Sequence, residues 1–254
     1  MASARCQRGG GGRRIGAGSH RVSGLPQPDD HTSMRSLLFA AAILVPATVV
    51  PGSARPQTGD GTLDRALAAY ARVRTVHAQF MQTVTNPLVG TKADSRGEVI
   101  QQRPQYLLVR FTTPSGDRIV ADGMWVWIYL PSSNPGQVIR APIGGDGSGV
   151  PDVTAQFLSA PRGRYTVADG GPASVGGRGA HVLRLAARDR SLPFEKATVW
   201  VDDRDGLVRQ FETVDASGVV RRVTMSDMVV NAPVDRAVFV FIPPRGVRVF
   251  TQPS

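Results

Sequence analysis

Two histidines, His77 and His181, and one acidic run, Asp202-Asp203-Arg204-Asp205, are the residues beyond position 54 whose types invite acid–base or metal chemistry. Neither histidine belongs to a metal-ligand spacing such as H-x-x-x-H, and no G-x-S-x-G elbow accompanies them. The single cysteine, Cys6, lies far upstream and leaves the rest of the chain without a thiolate nucleophile, a thiolate ligand or a disulfide. The carboxylates of Asp202, Asp203 and Asp205 are hard enough to hold a divalent cation. Asp205-Gly206 is also a hairpin-turn signal, and an ordinary turn accounts for the run more simply. No Gly-rich phosphate-binding fingerprint such as G-x-G-x-x-G or G-x-x-x-x-G-K joins a strand to a helix, so a nucleotide site finds no support. Neither an enzyme nor a resident cofactor is expected from this set.

The informative residues are apolar. Residues 124–131 read MWVWIYLP. On a strand, Trp125, Trp127 and Tyr129 share one face, and Val126 and Ile128 share the other. An antiparallel strand with one wet face alternates apolar with polar, and this one does not. Leu107, Val109 and Phe111 alternate on an earlier strand in the same way. Plain core is one reading. The other is a cavity lined by Leu107, Val109, Phe111, Trp125, Trp127 and Tyr129, with Val126 and Ile128 packed on neighbouring structure.

The elements that must position these residues are mostly strands. Residues 62–74 carry Leu63, Ala66, Leu67, Tyr70 and Val73 at helical spacing, with Thr62 as the expected N-cap. From residue 76 the period changes to two. Strand-like runs follow, from RGEVIQQ to FVFIPP, separated by turns such as Asp122-Gly123 and Asp205-Gly206. Short turns force antiparallel pairing. About eleven strands in one domain point to a large, unclosed antiparallel β-barrel. A long Gly/Pro-rich loop leads to DVTAQFLSA, a short helix capped by Asp152 that presents Phe157. APVDRAVF offers one further helical turn. With so few helices, a barrel of this size retains internal space, which the helices would cover as a lid.

The start of the chain reads differently. Residues 1–33 are rich in Gly and Arg and are expected to be an upstream extension. Residues 34–54 combine Arg35, an apolar stretch broken by Pro46, and the small residues Gly52-Ser53-Ala54, the pattern of a secretory signal. Residues 55–254 then form one domain. The formal charge of +10 includes six Arg and two Asp from residues 1–54; the remainder has 24 basic and 18 acidic residues, or +6. Its arginines are scattered rather than gathered with aromatics, which argues against nucleic acid as a partner.

The stretch RGEVIQQRPQYLLVRFTTPSGDRIVADGMWVWIYLPSSNPGQV resembles the outer-membrane lipoprotein carrier family, the periplasmic LolA-type chaperones. Gly97, Arg103, Pro104, Pro114, Asp122, Gly123, Trp127, Tyr129, Gln137 and Val138 match its pattern in order, and HAQFMQ and VDRAVFVFIPPRGVRV are similar to its first and last strands. The resemblance implies an unclosed barrel with a helical lid over an apolar cavity for lipoprotein acyl chains. It also implies that Arg103 contacts the lid. Leu107 stands where the family often has an aromatic. Further implications are a monomer in the periplasm, an ATP-driven lipoprotein-releasing complex in the inner membrane as donor, and an outer-membrane receptor as acceptor. A lipid-binding sensor of the envelope with the same fold is the alternative.

Overall fold

A computed structural model describes residues 60–144, 150, 152 and 154–252. The expected upstream extension and signal lie outside the described residues. The first helix, α1 (Asp60–Arg72), precedes six strands: β1 (Thr75–Asn86), β2 (Thr91–Gln102), β3 (Tyr106–Thr113), β4 (Arg118–Asp122), β5 (Trp125–Tyr129) and β6 (Gln137–Pro142). Two single-turn helices, α2 (Ala155–Leu158) and α3 (Pro161–Arg164), lead to β7 (Tyr165–Val175), β8 (Arg178–Ala187), β9 (Lys196–Asp202), β10 (Val208–Val214) and β11 (Val220–Val230). A 3₁₀ turn (Arg236–Phe239) and β12 (Arg248–Thr251) end the chain.

All twelve strands belong to one sheet, ordered β12-β6-β5-β4-β3-β2-β1-β11-β10-β9-β8-β7. It curls into a half-barrel, and its edges β12 and β7 do not pair, so it stays unclosed. Two meanders build it, β1–β6 and β7–β11, and they join where β1 pairs with β11. This order explains both layers that cover the sheet. β6 and β7 lie near opposite edges, so the connection between them must cross a face, and it carries α2 and α3 over the concave side. β11 lies mid-sheet and β12 at the far edge, so the second connection crosses too, over the convex side. It returns β12 parallel to β6, the one parallel pair in the sheet.

Two sequence expectations change. Thr62 is not an N-cap: it lies within α1, buried, where its hydroxyl accepts from Arg65. FVFIPP is not a strand. Pro243 and Pro244 lack the N–H groups a ladder needs, and this segment runs across the convex face before RVFT pairs as β12. The large unclosed antiparallel sheet expected from about eleven strands is present, with twelve.

The acidic run resolves into a hairpin tip. Asp202 is wholly buried and ion-paired with Arg178 and with Arg209, whose Nε lies 3.2 Å away, while Asp205 pairs with Arg209 as well. Burial would raise the Asp202 carboxyl, but hydrogen bonds from Arg178, the Arg204 N–H and Arg209 outweigh it and hold it down at about 2. Among the described residues no group of His, Cys, Asp and Glu is gathered as metal ligands. The turn itself seats α1. Gly206 has φ +72°, and a Cβ there would stand 3.0 Å from the Arg65 carbonyl oxygen and 3.1 Å from the Ala69 methyl. Only glycine allows the helix to approach so closely.

Candidate functional site

Register decides which side chains share the concave face. Phe80 is opposite Gly97, which is opposite Phe111; Ala78, Val99 and Val109 form the next row, and Val76, Gln101 and Leu107 the next. Across β4 and β5, Ile119 is opposite Ile128, and Ala121 is opposite Val126. Phe211, Val223 and Met225 continue the face from β10 and β11. Gly97 is needed in the row of phenyl rings. A Cβ there would lie 2.9 Å from the Phe111 Cα and closer still to the Arg110 carbonyl. With no side chain at Gly97, Phe80 and Phe111 meet over it edge to face, centroids 5.3 Å apart.

This face encloses a cavity of about 940 Å³. Its walls include Phe80, Val99, Val109, Phe111, Ile119, Phe194, Phe211, Val223 and Met225, and its roof includes Ala155, Gln156 and Ser159 of the crossover. The volume is at the upper end of ligand sites, about 300–1,000 Å³. At one end α1 closes it: Ala66, Tyr70 and Val73 pack near Val76, Gln101 and Val208. At the other end the lining turns polar, with Gln82, Thr213, Asp215 and Arg221 at the far ends of β1, β10 and β11. The cavity is therefore a blind apolar trough with a polar mouth.

Arg103, at the β2–β3 turn, ties the closed end together. Its guanidinium donates to the carbonyls of Tyr70 (2.8 Å) and Val73 (3.1 Å) at the end of α1. Its Nε donates to Asp152 Oδ2 (3.2 Å), and its Cζ stacks 3.3 Å from the Tyr70 ring centroid. The Tyr70 hydroxyl donates to the same Asp152 oxygen at 2.8 Å. Asp152 Oδ1 accepts from the backbone N–H groups of Thr154 and Ala155, which fixes the start of α2. One guanidinium thus joins α1, the sheet and the roof. Burial raises the Tyr70 phenol well above its ordinary range, with the Asp152 carboxylate adding to the effect. Burial also favours the neutral form of Asp152, but the Ala155 N–H, the Arg103 charge, the Thr154 N–H and the Tyr70 hydroxyl prevail and hold its carboxyl below the usual value.

The structure separates the expected cavity residues. Val109 and Phe111 line the cavity. Leu107 and Phe157 are fully buried in the core beside it, Phe157 with its ring 4.9 Å from that of Phe211. Trp125, Trp127 and Tyr129 do not face it. They lie on the convex side with Leu108, Val120, Val138 and Phe239. There the C-terminal crossover covers them: Phe241 packs 5.6 Å from Trp127 and 6.0 Å from Tyr129. Arg140 stacks over Trp125, and Trp127 Nε1 donates to Asp122. The aliphatic side, Val126 and Ile128, is the concave one. Strand alternation set the two faces apart, but only the second crossover decides which is which. Phe80, in the HAQFMQ strand, and Phe194, Phe211 and Met225 also line the cavity; the sequence does not assign them to it because each is one apolar residue in an ordinary strand or loop.

A relative from Methylibium petroleiphilum, an outer-membrane lipoprotein carrier protein, is 31% identical over 75% of this chain and 89% of its own length. The chain belongs to the outer-membrane lipoprotein carrier family. Its model, outer membrane lipoprotein carrier protein LolA, matches residues 71–141, the meander that holds Arg103, Val109 and Phe111. A carrier protein from Halorhodospira halophila is 30% identical over 71% of this chain and 81% of its own. The MucB/RseB N-terminal domain model matches residues 108–240. A solved LolA superfamily protein from Nitrosomonas europaea aligns over 72% of this chain and 98% of its own with TM-score 0.36 and 17% identity. Among the described residues no helix is long and apolar enough to cross a membrane.

Proposed function

We propose that this LolA-type chain is a periplasmic chaperone that carries lipoproteins from the inner to the outer membrane with their acyl chains in the concave trough. The observation that carries the reading is the trough itself: about 940 Å³ of space walled by residues such as Phe80, Val109, Phe111, Phe211 and Met225. Each CH₂ exposed to water costs about 0.8 kcal/mol, so acyl chains need such a shelter to cross an aqueous space. Apolar contacts are non-directional, which suits a carrier of many lipoproteins. The roof held by Arg103, Tyr70 and Asp152 is the element that would open for loading. Val109 and Phe111 would touch the chains; Leu107 and Phe157 would support them from behind. The chain would act as a monomer and without chemical turnover. An ATP-driven complex in the inner membrane would load it, and an outer-membrane receptor would unload it. Residues 34–54 would direct its export and be removed after Ala54.

Depletion of the protein in its own cells tests this reading. Lipoproteins destined for the outer membrane should accumulate in the inner-membrane fraction; unchanged distribution would refute it. The match to the MucB/RseB domain favours one second reading, a lipid-binding sensor on the same scaffold. Depletion would then alter envelope regulation and leave lipoprotein sorting intact.

A further inference from the structure

Beside the mouth of the trough lies a second cavity, of about 810 Å³, between the β8–β9 loop and the β10–β11 turn. The two share Pro193, Phe194 and Asp215. Phe194 is the partition. It is 4% exposed and held by rings on both sides, stacked on Tyr165 at 5.5 Å and tilted against Phe157 at 5.5 Å. Backbone bonds fix the cleft's walls: Ala187 N–H to Glu195 O and Glu195 N–H to Val214 O, both 2.8 Å.

The chemistry changes across the partition. The trough is walled by Phe, Val, Ile and Met; the cleft is lined by Arg188, Asp189, Arg190, Glu195, Asp215 and Ser217, with Leu192 and Ala216 among them. Two cations stand against three carboxylates, so the cleft has no net positive charge to draw an anionic phosphate or carboxylate headgroup. Arg190 and Glu195 are exposed, and among the described residues neither side chain forms an ion pair, so both can meet a ligand at the cleft surface. An uncharged polymer rich in N–H and C=O groups suits this lining. We propose that the cleft binds the extended polypeptide that follows the acylated residue of the cargo, while its acyl chains occupy the trough. This rests on the carrier reading above and adds a second subsite to it.

A synthetic triacylated lipopeptide and a fluorescent fatty acid separate the two. In the first arm the lipopeptide competes with the fatty acid for the wild-type protein. In the second, Ala216→Trp fills the cleft at an exposed turn position outside the trough. Lipopeptide binding should weaken about tenfold with fatty-acid binding unchanged. In the third, a photo-cross-linking residue at Arg190 or Ala216 should capture the peptide portion, and one at Arg110 on the convex face should not. Competition without loss in Ala216→Trp, or peptide captured only elsewhere, would overturn the cleft and leave the carrier reading standing. A lipopeptide that fails to compete at all would overturn both.

Discussion

Arg103 shows how much one side chain can coordinate. It spans the end of α1, the β2–β3 turn and, through Asp152, the start of α2. Removing a partly buried hydrogen-bonding group costs about 0.5–3 kcal/mol, which a sheet of this size survives. Arg103→Leu is expected to stay folded, to accept lipoprotein, and to transfer it to acceptor membranes more slowly than wild type. Circular dichroism with a transfer assay checks both halves; wild-type transfer by a folded variant would show that the latch does not govern release. Asp202 is the structural counterpart. Asp202→Asn leaves Arg209 in a buried place without its full countercharge, which costs about 3–5 kcal/mol. The sign with pH follows from the depressed carboxyl. Its stabilisation is complete above the ordinary Asp value, near 3.9, and fades as pH falls toward about 2. Thermal melts between pH 5 and 2 should show this loss in wild type and a shallower one in Asp202→Asn. The Asp152 carboxyl is also held low, so the latch should be indifferent to pH from 5 to 8.

At the scale of elements, the sheet was legible and its two sides were not. Asp122-Gly123 and Asp205-Gly206 marked hairpins, and runs such as QVIRAP matched a strand at both ends. Those signals are local, set by turn chemistry and a period of two. Which face of MWVWIYLP meets the cavity depends on where residues 231–247 travel, and that is a long-range fact. The aromatic side looked suited to a pliable pocket; it is instead sealed by Phe239 and Phe241. Arg103 was placed at the lid by resemblance, while Tyr70 and Asp152 read only as a helix face and a helix cap. The correction gives a paired test. Trp127→Ala should lower stability by about 3–5 kcal/mol, as buried aromatic truncations do, and leave fatty-acid affinity near wild type. Val109→Ala should do the reverse, since Val109 is half-exposed on the cavity wall. Chemical denaturation and a fluorescent fatty-acid titration separate them. Equal stability losses with unchanged binding would mean that Val109 is ordinary core.

The described residues form one curled sheet with a crossover on each face. The convex crossover is anchored by its aromatic residues: Phe239 is 1% exposed, and Phe241 packs on Trp127 and Tyr129. The concave one bridges a trough that stays open beneath it. A two-layer fold ordinarily buries both faces alike, and here the concave side keeps about 940 Å³ of space against about 270 Å³ under the convex crossover. That asymmetry is the physical basis for a carrier. Its central claim is that the trough keeps acyl chains out of water. The direct measurement is whether the purified protein holds a mature lipoprotein in detergent-free buffer, read by size-exclusion chromatography with mass determination. A one-to-one soluble complex is expected for wild type, and none for Val109→Glu, which places a carboxylate on the trough wall. A lipoprotein that aggregates beside the wild-type protein, or one held equally well by a folded Val109→Glu variant, would contradict the account.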